Sequence, residues 1–291
     1  MSEGLAGVVT HLWSGFDLFT PSGRAVAALL MLRISALVWT APVFSARFIP
    51  APVKVAVTLV LVALLLPVAG SLAELRAAEA VAAGVPAAEA LVTITVSAVV
   101  AEVLIGIVLG LGAAIFVAAA ESAGDMLAVQ MGLSGANVLD PMSETQLPVL
   151  GQFLGLFATT LILSVGGHLF ILGALSTSLE LLPAGAPVDL AQGPAAVIRL
   201  GGLLLSMGMR FAAPVVAAMM IGNAALGILA RTVPQLNVLT VAFPVQIALG
   251  LIVLGATLPL IASALGGFSE AYTGLSLELM DGFVPRPVGG G

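Results

Sequence analysis

Apolar residues fall into six long stretches, about 24–41, 55–73, 91–120, 148–182, 195–230 and 238–266, with polar residues gathered between them. About 20 apolar residues in helical form cross the roughly 30 Å hydrocarbon core of a bilayer. Each stretch therefore predicts a long helix, and the third is long enough to tilt or to run beyond the membrane. Gly166-Gly167-His168 interrupts the fourth and is placed to bend or split it. Connectors are expected at 42–54, at the Ala-rich acidic segment 74–90, at 183–194 and at 231–237. The pattern predicts an all-α integral membrane protein of long, kinked apolar helices. It divides into an N-terminal amphipathic segment (1–23), a first helical half (24–182), a second half (183–266) and a C-terminal tail (267–291). The tail is weakly amphipathic through Phe268, Tyr272, Leu275, Leu279 and Phe283, and its Gly-rich end is expected to be disordered.

One segment breaks the apolar pattern. Gln130 is followed by Met131-Gly132-Leu133-Ser134-Gly135-Ala136-Asn137-Val138-Leu139-Asp140-Pro141-Met142 and then Ser143-Glu144-Thr145-Gln146-Leu147. Polar, Gly/Pro-broken backbone is tolerated at membrane depth only when buried in protein or lining water. Gly132 and Gly135 permit positive-φ backbone, and Asp140-Pro141 favours a turn. Met131 and Met142 offer flexible side chains that reseal against changing neighbours. On composition alone, a plug and a plain interhelical loop fit this segment equally well.

Composition narrows the class. Of 291 residues, 60% are hydrophobic and 8% charged, whereas soluble domains carry about 25% charged residues. Mean hydropathy is +1.20. The net charge of −6 leaves no basic face for nucleic acid. Cysteine is absent, and the two histidines, His11 and His168, stand too far apart for a local metal motif. The opening Met1-Ser2-Glu3-Gly4 has no basic region ahead of an apolar core, so no cleaved signal peptide is expected. No phosphate loop, nucleophile elbow or metal-binding helix pattern occurs. No catalytic residue, cofactor or metal is expected, and the chain does not read as an enzyme.

Charges inside apolar runs usually mark function in membrane proteins, and Arg33, Glu102, Arg199 and Arg210 are such charges. A proton or substrate path would use them as open groups. Structural pairing or snorkelling is the favoured reading, because no Asp/Glu/His relay accompanies them. Glu121 and Asp125, four apart, read as a solvated helix end. Gly106 and Gly110 stand in G-x-x-x-G spacing, which lets helix backbones approach, and ordinary packing is favoured over a dimer motif. Gly167 and His168 read as a kink with a satisfied imidazole. Ala46-Arg47-Phe48-Ile49-Pro50 and Ala230-Arg231-Thr232-Val233-Pro234 echo one another ahead of apolar runs and hint at two related halves.

A family resemblance joins these features. Gln130-Met131-Gly132-Leu133-Ser134, Asp140-Pro141, Leu147-Pro148-Val149-Leu150 and Gly167-His168-Leu169 resemble the central signature of the FliR family of flagellar export proteins, which correspond to the SctT subunit of virulence secretion systems. Arg33 to Pro42 and Ile49-Pro50-Ala51-Pro52-Val53-Lys54 resemble its N-terminal signature. Leu226 to Arg231 with Pro234-Gln235-Leu236-Asn237 resembles its C-terminal one, so the likeness covers roughly 24–266 in order. The resemblance implies a FliP-like half joined to a FliQ-like half in a helical export-gate complex raised out of the bilayer plane. It implies FliP-like, FliQ-like and FlhB-like partners, membrane lipid around the complex, and unfolded flagellar subunits as cargo. It implies a place in the bacterial inner membrane, at the flagellar basal body, and a pore plug over Met131 to Leu147. The competing class is a secondary transporter with a polar site at broken helices, which would depend on Arg33, Glu102 or Arg210.

Overall fold

The computed structural model describes residues 19–46, 49–86, 91–133, 149–189, 193–233 and 238–285. Among these, every regular element is a helix: α1 (Pro21–Thr40), α2 (Pro42–Ser45), α3 (Ala51–Ala82), α4 (Val96–Gln130), α5 (Val149–Ser164), α6 (Gly167–Leu181), α7 (Gly193–Thr232), α8 (Val238–Gly266) and α9 (Phe268–Asp281). Five of them, α1, α3, α4, α7 and α8, are long and apolar enough to span a membrane, and the pair α5 and α6 makes a sixth span if counted as one. The chain is an all-α integral membrane protein, and its six apolar stretches correspond to five long helices and one bent pair among the described residues.

Helix ends follow local chemistry. Thr20 caps α1 by accepting the Gly23 N–H at 3.0 Å, and Pro21 occupies the first turn, where no N–H is needed. α3 runs through the segment expected to be a connector, because Glu74 to Ala82 is built almost wholly from strong helix formers. It stops at Gly84 (φ +92°), where Val85 N–H reaches Ala80 O and Gly84 N–H reaches Val81 O. That is the paired bonding of a Schellman C-cap. The connector is therefore shorter than expected. The 42–54 linker is likewise largely helical, carrying α2 and the first turn of α3.

The fourth apolar stretch splits as expected, and the break is at Gly166 (φ +75°), whose N–H bonds Leu163 O at 3.0 Å. The greater surprise is the tail, where 268–281 is a helix. Phe268, Tyr272, Leu279 and Phe283 are buried, so the weak amphipathic spacing marks a packed face. The final residues, 286–291, and residues 1–18 lie outside the described set.

Packing divides the chain into two compact units that interleave in sequence: Met1–Ala114 with His168–Arg199 and Glu270–Gly291, and Ile115–Gly167 with Leu200–Ser269. Each unit draws on residues from both sequence halves.

In the first unit α1 is the central helix, with Leu29, Leu30, Ile34 and Leu37 fully buried. α3 packs along it, and α4 approaches at Gly106 and Gly110. A Cβ on Gly106 would lie 2.7 Å from Ala36 Cβ and strike Arg33 O; one on Gly110 would lie 2.8 Å from Thr40 Cβ. The G-x-x-x-G spacing thus serves packing inside the chain. Tyr272 of α9 donates its hydroxyl to Leu109 O at 3.1 Å, and burial pushes its phenol pKa upward, which keeps it the neutral donor this bond requires.

The second unit is built on another glycine crossing. α4 meets α5 where Gly124 faces Gly151, with backbone so close that a Cβ on Gly124 would lie 2.7 Å from Gly151 Cα. Phe116 and Phe268 pack edge to face at 4.9 Å. α7 and α8 leave much apolar surface uncovered, including Ile221 and Ile252.

Candidate functional site

The polar segment begins inside a helix. α4 continues to Gln130, and the Met131 N–H still bonds Leu127 O at 2.9 Å. Gly132 then turns the chain at φ +72°, and Leu133 is exposed. Ser134 to Leu147, including Gly135, Ala136, Asn137, Val138, Leu139, Asp140, Pro141 and Met142, lie outside the described residues.

What the structure adds is the setting of the segment's first residues. Met131 is completely buried within the second unit, where its thioether fills the notch left by Gly250 of α8. A Cβ at position 250 would stand 2.7 Å from Met131 Sδ and 2.8 Å from Cε, well inside van der Waals contact. Gly132 faces the Phe243 ring, with a hypothetical Cβ 3.1 Å from the ring and 3.2 Å from Gln246 Oε1. Gln246 is itself held, donating from Nε2 to Asn223 Oδ1 of α7 at 2.8 Å. An interhelical amide bond in an apolar region orients both side chains. Methionine 131 was expected to matter as a sealing side chain; Gly250, Gln246 and Asn223 escaped sequence reading. A polar pair within apolar runs is the signal that could have drawn attention to the last two.

The second concentration of chemistry is a buried ion pair in the first unit. Arg33 Nε donates to Glu102 Oε2 at 2.6 Å, with both side chains almost wholly buried. Arg33 Nη1 donates to Ser178 O at 3.0 Å and to Ser178 Oγ at 3.1 Å, and Nη2 donates to Leu182 O at 2.8 Å. Ser178 lies in the last turn of α6 and Leu182 directly follows it, so the cation sits at the helix C-terminus, where it complements the helix dipole; Ser178 O also accepts the Leu182 N–H at 2.9 Å. Glu102 Oε1 accepts the Gly185 N–H at 3.0 Å, and Gly185 turns at φ +77°. Gly106 stands one turn after Glu102 on α4 and receives the Arg33 backbone, so the close helix approach is what lets the guanidinium reach the carboxylate. Charges chosen one by one in the sequence are here a single satisfied network, and Ser178 is its unforeseen member.

The other candidates disperse. Arg199 pairs with Glu278 at the surface, and Arg210 and Arg231 are exposed on α7. Pro42 and Pro50 begin or precede helices, and Pro234 lies outside the described residues. Gly167 is buried where a Cβ would meet Phe268 at 3.0 Å. His168 departs from expectation: its Nδ1 is buried and has no hydrogen-bond partner among the described residues. Glu121 and Asp125 are exposed on α4, as a helix end predicts, but they belong to the helix proper. Their carboxylates lie over Gly155 and Gly151, a second four-residue glycine spacing that sequence reading passed over. Lys54 is buried, donating to Ser45 O at 3.0 Å with its ammonium 5.0 Å from the Trp39 ring centre.

An open cleft of about 450 Å³ in the first unit is lined by residues of α3, α4 and 183–188, with Arg76 among them; neither Arg33 nor Glu102 lines it. Among the described residues, no group of His, Asp and Glu has the arrangement of a metal site.

Residues 25–271 match the family model described as bacterial export proteins, family 1. Relatives named flagellar biosynthetic protein FliR align along most of the chain. The protein of Pectobacterium carotovorum subsp. carotovorum is 32% identical over 241 residues, covering 79% of this chain and 83% of the relative. That of Escherichia coli (strain K12) is 31% identical over 234 residues, covering 80% and 84%. That of Caulobacter vibrioides is 27% identical over 259 residues, covering 89% and 95%.

Proposed function

The chain belongs to the bacterial export proteins, family 1, and from that membership we propose that it is a non-enzymatic subunit of the flagellar type III protein export gate. The observation that carries this is the ordered match to proteins named flagellar biosynthetic protein FliR over about four-fifths of the chain. In this role it sits in the bacterial inner membrane, at the flagellar basal body. It assembles with FliP-like and FliQ-like subunits and an FlhB-like subunit, and unfolded flagellar subunits pass through the assembly. The uncovered apolar sides of α7 and α8 support such neighbours, protein or lipid, because surface of that kind needs covering in water.

Within the gate, Met131 to Leu147 act as the pore plug. Support comes from the segment's resemblance to the family's central signature and from the seating of Met131 and Gly132 against α8. The remaining candidates act in folding and assembly: Arg33 with Glu102, Gly106 with Gly110, Gly167 and His168 at the α5–α6 break, and Arg210, Pro42, Pro50, Arg231 and Pro234. The transporter alternative needs charges open to a substrate, whereas Arg33 and Glu102 spend their bonds on each other and on backbone.

Two measurements test the reading. The chain is tagged, extracted in mild detergent from its own host, and its stoichiometric companions are identified. Recovery as a lone component that moves a small solute in liposomes would overturn the gate role. Deleting residues 131–147 is expected to leave the complex assembled but permeable to small ions; an unchanged permeability would remove the plug role.

A further inference from the structure

Met131 is fully buried, and its side chain lies over Gly250, where the missing Cβ leaves room for it. Gly250 is fitted to that role. Any larger residue there would occupy the space of Met131 Sδ and Cε, while nothing lies within 4 Å of a Cβ on Gly255, further along the same helix. Immediately beyond Met131, Gly132 leaves helical geometry at φ +72°, packed against Phe243 and beside the Gln246–Asn223 bond. A buried flexible side chain, a notch that fits it and a glycine turn directly after it make a mechanical anchor followed by a pivot.

We propose that Met131, seated on Gly250, is the releasable anchor of the plug segment: closed, it holds the segment's root on α8, and export requires it to leave its seat. The proposal rests on the plug reading above and adds the residue pair that holds the plug in place. Thioether packing suits the task, since dispersion contacts are collectively strong, have no directional bond to break, and re-form after displacement.

The chain contains no cysteine, so a cysteine pair reports one contact without background. Met131→Cys with Gly250→Cys, in the assembled complex under a mild oxidant, is expected to cross-link within the chain. The pair Met131→Cys with Gly255→Cys is the control and is expected to cross-link several-fold less. Equal cross-linking of the two pairs overturns the seat, whatever the plug does. The cross-linked chain is expected to lose export of flagellar subunits and to regain it on reduction. Undiminished export with the link closed overturns release as a required step.

Permeability separates the anchor from the plug itself. Gly250→Leu is expected to raise small-ion leak several-fold toward that of the 131–147 deletion, with the complex still assembled. Adding Met131→Ala, which vacates the space the leucine takes, is expected to restore tightness. Should Gly250→Leu not accumulate, Gly250→Ala replaces it, because its single added carbon meets only the flexible Met131 side chain, at Cγ, Sδ and Cε. A leaking deletion beside a tight Gly250→Leu channel overturns the anchor and leaves the plug standing. A deletion that does not leak removes the plug, and the cross-link then decides alone whether Met131 is held on Gly250.

Discussion

Replacing Glu102 with alanine strands the Arg33 guanidinium in a site where it is 1% exposed. Arg33 keeps its bonds to Ser178 and Leu182 but loses its only charge partner in the network, and the Gly185 N–H loses its acceptor. Breaking a buried pair from one side costs about 3–5 kcal/mol, because the remaining charge is uncompensated. At about 1.4 kcal/mol per tenfold, a loss near 4 kcal/mol lowers the folded-to-unfolded ratio roughly a thousandfold. Glu102→Gln keeps the shape and an acceptor but removes the anion, and is expected to cost less, about 1–3 kcal/mol. The double variant Arg33→Met/Glu102→Leu removes both charges together and is expected to recover most of the loss, since apolar replacements of buried pairs are often neutral or stabilising. The assay is denaturant unfolding of the purified chain in mixed micelles, followed by helix content, for wild type, both single variants and the double. A coupling energy below about 0.5 kcal/mol, the scale expected of independent sites, would refute the claim that these charges form one network.

Three further outcomes follow from particular contacts. Gly110→Val pushes against Thr40 Cβ and the Ala41 backbone and is expected to destabilise by about 2 kcal/mol or more; Gly173→Ala, with open space around it, should be neutral in the same unfolding assay. Gly166→Ala forces an L side chain into φ +75°, at about 1–2 kcal/mol, read as a lower melting temperature in detergent. Tyr272→Phe removes the hydroxyl that serves Leu109 O and is expected to cost about 1 kcal/mol, with protease protection of α9 falling in parallel.

Most of the secondary structure was legible because hydropathy acts locally. The six apolar stretches became five long helices and one split pair, and the split fell at Gly166 because only glycine adopts that backbone cheaply. Misjudged boundaries share one cause. Polar residues in 74–82 and 121–130 end an apolar run without ending a helix, since helical propensity and apolarity are separate properties. The tail helix is hard to read for a related reason: five apolar residues at helical spacing are a weak signal until a neighbouring surface exists for them to pack against.

The sequence by itself determined the membrane class, the number of apolar spans, the central polar segment and the family, all properties of neighbouring residues or of their order along the chain. Tertiary structure decided the partners. Arg33 and Glu102 lie 69 positions apart, and no periodicity says that one will neutralise the other rather than serve a substrate. Gly106, Gly151 and Gly250 are permissive residues whose meaning depends on what approaches them: the Arg33 backbone, the Asp125 carboxylate and the Met131 thioether. An apolar environment makes each choice consequential, because an unpaired charge or an unfilled notch there has no water to compensate it.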